Sequence, residues 1–368
     1  MNSILLHILN THAVQLLKEL IAIPSLSKEE NKTADLVEYF LNKNGAAPKR
    51  VMNNIWCVNT YFDPAKPTIL LNSHLDTVAP NSKYTRDPYS PGITEGRLYG
   101  LGSTDAGASL VSLMCAFLYF HTEHKLDYNI VFAATAEEEI SGSNGIEKLF
   151  RDEAFKARFA QPGSFAIVGE PTQLQLAIAE KGLLVLDCTA QGTPGHAARE
   201  EGDNAIYKAV RAIDWFRTFR FPKVSELLGE IKMTVTSVQT DNKAHNIIPE
   251  SCRFVVDVRV TELYTHEEIL QTIRENIDVD VQPRSIRLTS SSIPKDHPVV
   301  QAGIRLGKQT YGSPTLSDCA LIPLPSLKCG PGNSAQSHSA DEFVELMDIE
   351  YGVGFYVQLL ALLNPCDG

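Results

Sequence analysis

The first third of the chain alternates helical and extended patterns of apolar residues. Val14, Leu17 and Ile21 recur at helical spacing, and Pro24 predicts the end of this first helix. Ser27 and Glu30 form a capping-box pattern, which predicts the start of a second helix. The apolar face of this helix and the glycine that follows its end are given by Ala34, Val37, Leu41 and Gly45.

Short apolar runs after the second helix are predicted to be strands, at 55–61, 68–72, 129–134 and 165–168. Between the second and third of these runs, segment 109–119 is predicted to be a buried helix. Runs such as TILL and IVFAA show almost no alternation with polar residues, which is typical of strands covered by helices on both faces. The pattern therefore predicts an α/β domain with a central sheet flanked by helices.

From about Gly182 the pattern changes to the order β-α-β-β-α-β. The predicted elements are strands 183–191, 232–239, 252–260 and 284–290, and helices 204–219 and 265–276. This order is typical of a ferredoxin-like α+β module, which can fold as an insertion. We therefore predict a discontinuous domain, 1–176 and 291–368, interrupted by an inserted domain, 177–290.

Composition narrows the classes of function. The chain of 368 residues has 33 Lys+Arg against 44 Asp+Glu, a net charge of −11. A general binder of nucleic acid or of anionic membranes carries a basic excess, so we expect neither partner. The longest apolar stretch, 110–120, is far shorter than the about 20 residues of a membrane helix.

The cysteines and the N-terminal segment predict a cytoplasmic protein. The 7 cysteines are scattered, and none forms a Cys-x-x-Cys pair. This usage is typical of reduced thiols rather than of a disulfide framework or a zinc ribbon. The segment MNSILLHILNTHAVQ has neither the basic start nor the long apolar core of a secretory signal.

Polar residues that carry chemistry follow predicted strands or lie in glycine-rich loops. Taken singly, each has a structural alternative: a core histidine for His74, a helix cap for Asp105 and a solvated charge run for 137–139. The loop around Asp105 lacks the Gly-Lys-Ser/Thr of a phosphate-binding loop. Glu170 and His338 stand in comparable positions. Together these residues supply two histidines and several carboxylates, the ligands of a two-metal hydrolytic site.

Six segments, in this order, carry a resemblance to a known family: NSHLDTV, GSTDAGASL, EEEISGSNG, VGEPT, QGTPGHAA and CGPGNSAQSHSADEF. They resemble the zinc-dependent amidohydrolases and exopeptidases that include acetylornithine deacetylase, succinyl-diaminopimelate desuccinylase, aminoacylase and glutamate carboxypeptidase. The resemblance spans essentially the whole chain. It implies a central mixed sheet flanked by helices, with an inserted domain for dimerisation or closure, and a homodimer formed through that insert.

The resemblance implies two Zn²⁺ sites, with Co²⁺ or Mn²⁺ as possible replacements. The metal ligands carried over from the family are His74, Asp105, Glu139, Glu170 and His338, with Asp105 bridging the two ions. Asp76 would orient His74, and Glu138 would be the general base that takes a proton from the attacking water. The triplet 137–139 leaves a second register open, in which base and ligand are 137 and 138.

Three residues of the insert match further family positions. His196 matches the histidine that stabilises the oxyanion, which in relatives comes from the partner subunit. Asn246 and Arg259 match positions that bind the carboxylate of the substrate, although Arg259 could instead pair with Asp257 on its own strand. Many relatives have a lysine soon after the bridging aspartate and serines after the histidine, whereas this chain has alanine-rich segments. These departures bear on substrate fit rather than on the reaction.

The implied function is metal-dependent hydrolysis of the amide bond of an N-acyl amino acid. The Gly-Pro-Gly loop before His338 is most similar to the acetylornithine deacetylase branch. We therefore expect an N-acetyl- or N-succinyl-ornithine or -citrulline deacylase of arginine biosynthesis. The alternatives are a succinyl-diaminopimelate desuccinylase, or a dipeptidase or carboxypeptidase of the same family.

Overall fold

The computed structural model describes residues 3–199 and 201–364, so Cys366 lies outside the described residues. The chain divides into two compact units. Unit 1 comprises the chain up to Ala179, Ser292–Tyr311 and the chain from Ser317, and unit 2 comprises Glu180–Ser291 and Gly312–Leu316. Segment Gly312–Leu316 joins unit 2 although the prediction assigned it to the other domain. The backbones at Gly312 and Leu227 pack so closely that a Cβ at Gly312 would lie 2.2 Å from the Leu227 carbonyl oxygen.

The elements follow one another in three stretches of the chain. The first stretch contains α1 (Ser3–Ile21), α2 (Asn31–Lys43), β1 (Lys49–Val51), β2 (Asn54–Val58), β3 (Thr68–His74), β4 (Gly92–Thr94), β5 (Arg97–Tyr99), α3 (Ala108–Phe120), β6 (Asn129–Thr135), α4 (Ile146–Arg151), α5 (Glu153–Lys156), β7 (Phe165–Val168) and β8 (Leu176–Glu180). The second contains β9 (Gly182–Gln191), β10 (Gly195–His196), α6 (Ala205–Thr218), β11 (Lys232–Gln239), β12 (Ile247–Ile248), β13 (Ser251–Val260), α7 (His266–Asn276) and β14 (Asp280–Pro283). The third contains β15 (Ser291–Ser292), α8 (Pro298–Arg305), β16 (Thr310–Ser313), β17 (Ser326–Lys328), β18 (Phe343–Glu345) and α9 (Leu346–Leu362).

The central sheet of unit 1 has the order β1-β2-β6-β3-β7-β17-β8. Strands β6, β3, β7 and β17 run parallel, whereas β2 and β8 are antiparallel to their neighbours. Alternate side chains enter different cores: Leu71 packs in the core that contains α1, α3 and α9, and Leu70 in the core that contains α4 and α5. This arrangement confirms the predicted central mixed sheet flanked by helices.

The predicted capping box before the second helix is wrong. Helix α2 starts at Asn31, and no side chain caps its N-terminus. The Ser27 hydroxyl instead donates to the Asp76 carboxylate at 2.7 Å, and Glu30 is fully buried in contacts with the backbone of Lys28 and Glu137. The two residues that suggested a local cap are therefore used in contacts between distant parts of unit 1.

Helix α3 forms the centre of the larger core of unit 1. The window Ser103–Phe120 is long and apolar enough to cross a membrane by composition, but 83% of it is buried inside the protein. The structure therefore explains its hydrophobicity by packing against α1 and α9. The six cysteines among the described residues are free and buried, which confirms that none of these six is in a disulfide.

Unit 2 has an antiparallel sheet with the order β11-β13-β9-β14 and one core, to which α6 and α7 contribute. Burial alternates along β9 and β13, as expected for a sheet with one covered face. The ferredoxin-like order is confirmed, but the final strand is Asp280–Pro283 instead of 284–290. Val281 lies in the core, and regular pairing with β9 ends at Pro283, although the Arg284 N–H still donates to the Val185 carbonyl at 2.9 Å.

Candidate metal centre

Parallel strands of unit 1 bring the predicted site residues to one edge of the sheet. His74 is the last residue of β3, and Glu138 and Glu139 follow β6. Glu170 follows β7, and His338 lies in the loop after β17. Because these four strands are parallel neighbours, their carboxyl ends lie side by side, which is where open α/β sheets place ligands.

The first cluster of possible ligand atoms centres on His74. Its Nε2 lies 3.3 Å from Oδ1 of Asp105 and 3.8 Å from Oε1 of Glu170. The imidazole is almost completely buried. Burial lowers the pKa of His74, but its contacts with Asp105 and Asp76 outweigh this effect and raise the pKa above its ordinary value.

The second cluster centres on His338 and shares Asp105 with the first. Nε2 of His338 lies 3.0 Å from Oε2 of Glu139 and 3.6 Å from Oδ2 of Asp105. The two oxygens of Asp105 therefore face different histidines. His338 is more open than His74, with 56% of its side chain exposed. The placement of one Asp105 oxygen near each histidine is what a carboxylate that bridges two ions requires.

The donor set fits two divalent cations. In each cluster the ligand atoms lie within 4.8 Å of one another. Ligands about 2.0–2.1 Å from a tetrahedral ion are separated by roughly 3.3 Å, close to the distances observed here. Burial raises the pKa of Glu170 to about 8, and repulsion from Asp105 adds to the effect. Divalent cations would relieve the crowding of these buried carboxylates, and the mixture of imidazole and carboxylate ligands is typical of zinc.

Glu138 stands beside the first cluster without belonging to either group of ligand atoms. Its Oε2 lies 4.0 Å from Nε2 of His74. Burial raises the pKa of Glu138 well above its ordinary value, and repulsion from Glu170 acts in the same direction. A carboxylate with a raised pKa next to a metal-ligand cluster has the properties of a general base.

Glu137 points elsewhere. Its carboxylate accepts hydrogen bonds from the Asn144 side chain at 2.8 Å and from the Asn144 backbone at 3.3 Å. Glu137 has a positive φ of 57°, and a Cβ at Gly142 would lie 2.0 Å from its carboxylate. Glu137 therefore holds the loop, whereas the next two acids face the clusters. This geometry supports the register in which base and ligand are 138 and 139.

Asp76 fixes the backbone that carries these two acids. Its Oδ1 accepts the Glu138 N–H at 3.0 Å and its Oδ2 accepts the Glu139 N–H at 3.1 Å. Nδ1 of His74 lies 2.9 Å from the Asp76 carbonyl oxygen but 3.5 Å from its carboxylate. Asp76 therefore contacts His74 mainly through its backbone and the acidic pair through its side chain. Burial tends to raise the pKa of Asp76, but His74 and Ser27 lower it overall.

The structure adds two buried acids that the sequence reasoning missed. Glu342 accepts three backbone N–H groups in the loop around Asp105, and burial raises its pKa to about 7. Asp318 accepts the Thr135 hydroxyl at 2.7 Å, and burial raises its pKa to about 6. The sequence signal for Glu342 was its place in the segment CGPGNSAQSHSADEF, soon after His338. None of the local patterns distinguished Asp318 from a surface acid.

The candidates of the insert lie on the surface of unit 2. His196 in β10 pairs with Ile247 in β12, and Asn246 accepts the Ala197 N–H through its carbonyl. His196 and Asn246 are both exposed. Arg259 donates two hydrogen bonds to Asp257, at 2.8 and 3.0 Å. Its fork therefore already has a carboxylate partner, the structural alternative left open above.

Comparisons with known proteins find similar sequences and similar folds. The model of a family described as peptidase family M20/M25/M40 matches residues 70–362. A succinyl-diaminopimelate desuccinylase from Cereibacter sphaeroides is 28% identical over an alignment of 275 residues, which covers 71% of this chain and 71% of that one. Aminopeptidase PepT from Bacillus cereus superposes with a TM-score of 0.78 at 18% identity, over 97% of this chain and 99% of that one. A dinuclear metal-binding M20 peptidase from Bacillus subtilis gives 0.72 at 14% identity, over 97% and 99%.

Proposed function

Because the chain belongs to peptidase family M20/M25/M40, a family of metal-dependent hydrolases, we propose that it hydrolyses the amide bond of an N-acyl amino acid. The observation that supports this most directly is the position of Asp105 between two ligand clusters, with Glu138 beside them. Two ions held side by side can stabilise both the attacking and the leaving group of a hydrolysis. The single base next to them supplies the proton transfer that amide cleavage needs.

Each residue of the centre has a proposed role. His74 and Glu170 would hold one ion, Glu139 and His338 the other, and Asp105 both. The ions, for which we propose Zn²⁺ with Co²⁺ or Mn²⁺ as replacements, would polarise the scissile carbonyl and activate water. Glu138 would take the proton of the attacking water and deliver it to the leaving amine, so that the amine departs neutral.

Residues of unit 2 would complete the site from a second copy of the chain. We propose that His196 donates to the developing oxyanion, and that Asn246 and Arg259 bind the carboxylate of the substrate. Strand β11 lies at an edge of its sheet, and α6 exposes Tyr207 and Val210. An open strand edge beside an apolar helix surface is suited to a homodimer through unit 2. Sedimentation should show a dimer at assay concentrations, and a monomer that retains full activity would exclude this arrangement.

The identity of the substrate depends on which acyl group and which amino acid the site accepts. The expectation of arginine biosynthesis is not supported by the comparisons. Relatives named succinyl-diaminopimelate desuccinylase favour the alternative, so we propose N-succinyl-diaminopimelate as the first substrate to test. From the scattered cysteines we also propose that the enzyme is cytoplasmic. The next substrates to test are N-acetyl- and N-succinyl-ornithine and their citrulline analogues.

A substrate panel tests the proposal. Metal-loaded protein is incubated with the N-succinyl and N-acetyl amino acids and with Xaa-Gly dipeptides, and the released succinate, acetate and amino acids are measured. We expect succinate release from N-succinyl-diaminopimelate, and release that is slower by about 10²–10⁴-fold in the Glu138→Gln variant. Cleavage of the dipeptides alone would replace the proposed activity with a dipeptidase. Release from no substrate by fully metal-loaded protein would refute both.

A further inference from the structure

The buried carboxylate of Glu342 accepts hydrogen bonds from three backbone N–H groups of a single loop. Its Oε1 accepts from Thr104 at 2.8 Å and from Asp105 at 3.0 Å, and its Oε2 accepts from Gly102 at 3.0 Å. Glu342 is 1% exposed. Buried carboxylates usually face a cation, whereas this one is used to fix the backbone on which Asp105 stands.

The segment that contains Glu342 also carries His338, the central ligand of the second cluster. Beyond Glu342, the Phe343 carbonyl accepts the Thr104 hydroxyl at 2.6 Å, and β18 pairs with β5. The loop of the bridging carboxylate and the segment of His338 are therefore fastened to each other directly. One side chain sets their relative position at the point where the two clusters meet.

The loop has little freedom to adjust if this contact is lost. Gly102 has a φ of 74°, and a Cβ at Gly107 would lie 2.4 Å from the Gly102 carbonyl oxygen. The three N–H groups point towards one place, and two carboxylate oxygens can accept all of them. A glutamine there has one acceptor oxygen and an NH₂ group, so at least one N–H would face a donor and lose its partner.

We propose that Glu342 is a positioning residue that holds Asp105 with one oxygen towards His74 and the other towards His338. This inference rests on the proposed metal centre. Glu342 lies behind the loop and contacts its backbone, so it acts through Asp105 rather than on the substrate. Loss of the carboxylate should therefore weaken cation binding and alter the bridge between the ions, with any loss of turnover as a consequence.

Cobalt binding tests the proposal without any substrate. Metal-free wild type, Glu342→Gln and Glu342→Asp are titrated with Co²⁺ by calorimetry, and the visible and paramagnetic resonance spectra of the cobalt forms are compared. The matched control is Asp341→Asn, because Asp341 is the adjacent acid, is only partly buried and accepts N–H groups from Thr85 and Arg86 instead. Circular dichroism of the metal-free proteins establishes whether each variant is folded.

We expect Glu342→Gln to bind Co²⁺ about 10–100-fold more weakly than wild type, with a changed magnetic coupling between the two ions. The Co²⁺ affinity of Glu342→Asp should lie between those of wild type and Glu342→Gln. The Co²⁺ affinity of Asp341→Asn should stay within about twofold of wild type. Unchanged affinity and spectra in folded Glu342→Gln would overturn the proposal. Failure of both Glu342 variants to fold would overturn it as well, since the residue would then serve folding rather than position. Weaker cobalt binding in a chain that hydrolyses no N-acyl amino acid would refute the proposed function and leave this inference standing.

Discussion

The metal-centre edge of unit 1 and the β10–β12 surface of unit 2 both carry residues predicted to act in catalysis, but they are built differently. In unit 1, four successive backbone N–H groups after β6 are accepted by buried side chains. The acceptors are Asn54 for Ala136, Glu30 for Glu137, and Asp76 for Glu138 and Glu139. In unit 2, His196 and Asn246 are exposed. His196 lies in the two-residue strand β10, and Asn246 directly precedes its partner strand β12.

The contrast separates two kinds of preorganisation. The unit 1 edge is fixed by its own hydrogen bonds, so ligand geometry is built into the folded unit before any ion binds. Among the described residues of unit 2, the His196 side chain accepts one backbone N–H, from Ala198 at 3.1 Å, and both His196 and Asn246 are exposed. We infer that metal binding depends on unit 1 alone, and that the roles proposed for unit 2 depend on assembly with a second copy.

The largest effect should come from the base at the unit 1 edge. Glu138→Gln should lower kcat by about 10²–10⁴-fold, because the amide cannot accept the proton of the attacking water. The two ions should remain bound, since Glu138 belongs to neither ligand cluster. Turnover and metal content per chain measure the two effects separately.

Glu137→Gln is the matched control for this variant. Glu137 is the adjacent acid in the same loop, but its carboxylate contacts Asn144. Its replacement should change turnover by less than about tenfold, mainly by loosening the loop. If Glu137→Gln abolished turnover while Glu138→Gln retained it, the other register of the triplet would be correct.

The next effect should come from the unit 2 surface. His196→Ala should lower kcat by about 10²–10³-fold with unchanged metal content, since a donor to the oxyanion acts in the transition state. Mixing His196→Ala with Glu138→Ala chains should restore part of the activity, because one site of the mixed dimer would keep both groups. An absence of recovery in verified heterodimers would contradict a site shared between two chains. It would also contradict the inference that the roles of unit 2 depend on assembly with a second copy.

Local sequence patterns predicted the unit 1 edge well for a physical reason. Strands such as β3 and β6 are buried on both faces, so their sequences are continuously apolar and their ends are sharp. A polar residue directly after such a strand, such as His74 or Glu170, is delivered to the same sheet edge as its neighbours. The fold and the positions of the candidate ligands follow from this topology, while their roles come from the family resemblance.

The supporting contacts could not be predicted in the same way. Glu342 bonds to Thr104 across 238 positions of sequence, and Asp318 to Thr135 across 183. Ser27 satisfied a local helix-start pattern, yet its hydroxyl bonds to Asp76, 49 positions away. Helical and strand periodicities describe neighbours in sequence, so they carry no information about which distant partner a buried polar residue will find.

A smaller effect should test whether Arg259 binds substrate or only pairs with Asp257. We expect Arg259→Lys to raise KM by about tenfold with kcat and metal content unchanged, because lysine cannot give two parallel hydrogen bonds to a carboxylate. Asp257→Asn is the comparison, since it removes the ion pair and keeps the guanidinium. If both variants left KM unchanged and lowered the free energy of unfolding by less than about 1 kcal/mol, Arg259 would have only the structural role.

The smallest effects should appear in the pH dependence of stability of the metal-free chain, where one buried acid of unit 1 and one exposed acid of unit 2 should contribute in opposite directions. In unit 1, burial raises the pKa of Asp318 from 3.8 to about 6. The folded state then binds this proton more tightly than the unfolded state, so stability falls as pH rises from about 4 to 6. In unit 2, Arg284 lowers the pKa of Asp187 below 3.8, so its contribution is present above that pH and is lost on acidification. Urea unfolding of Asp318→Asn should therefore show a shallower decline than wild type between about pH 4 and 6. Asp187→Asn should differ from wild type by less than about 1 kcal/mol, and this difference should vanish as the pH falls below 3.8. The same slope in Asp318→Asn and wild type would show that the buried Asp318 carboxyl does not destabilise the metal-free fold, and the contrast between the two units would then rest on geometry alone.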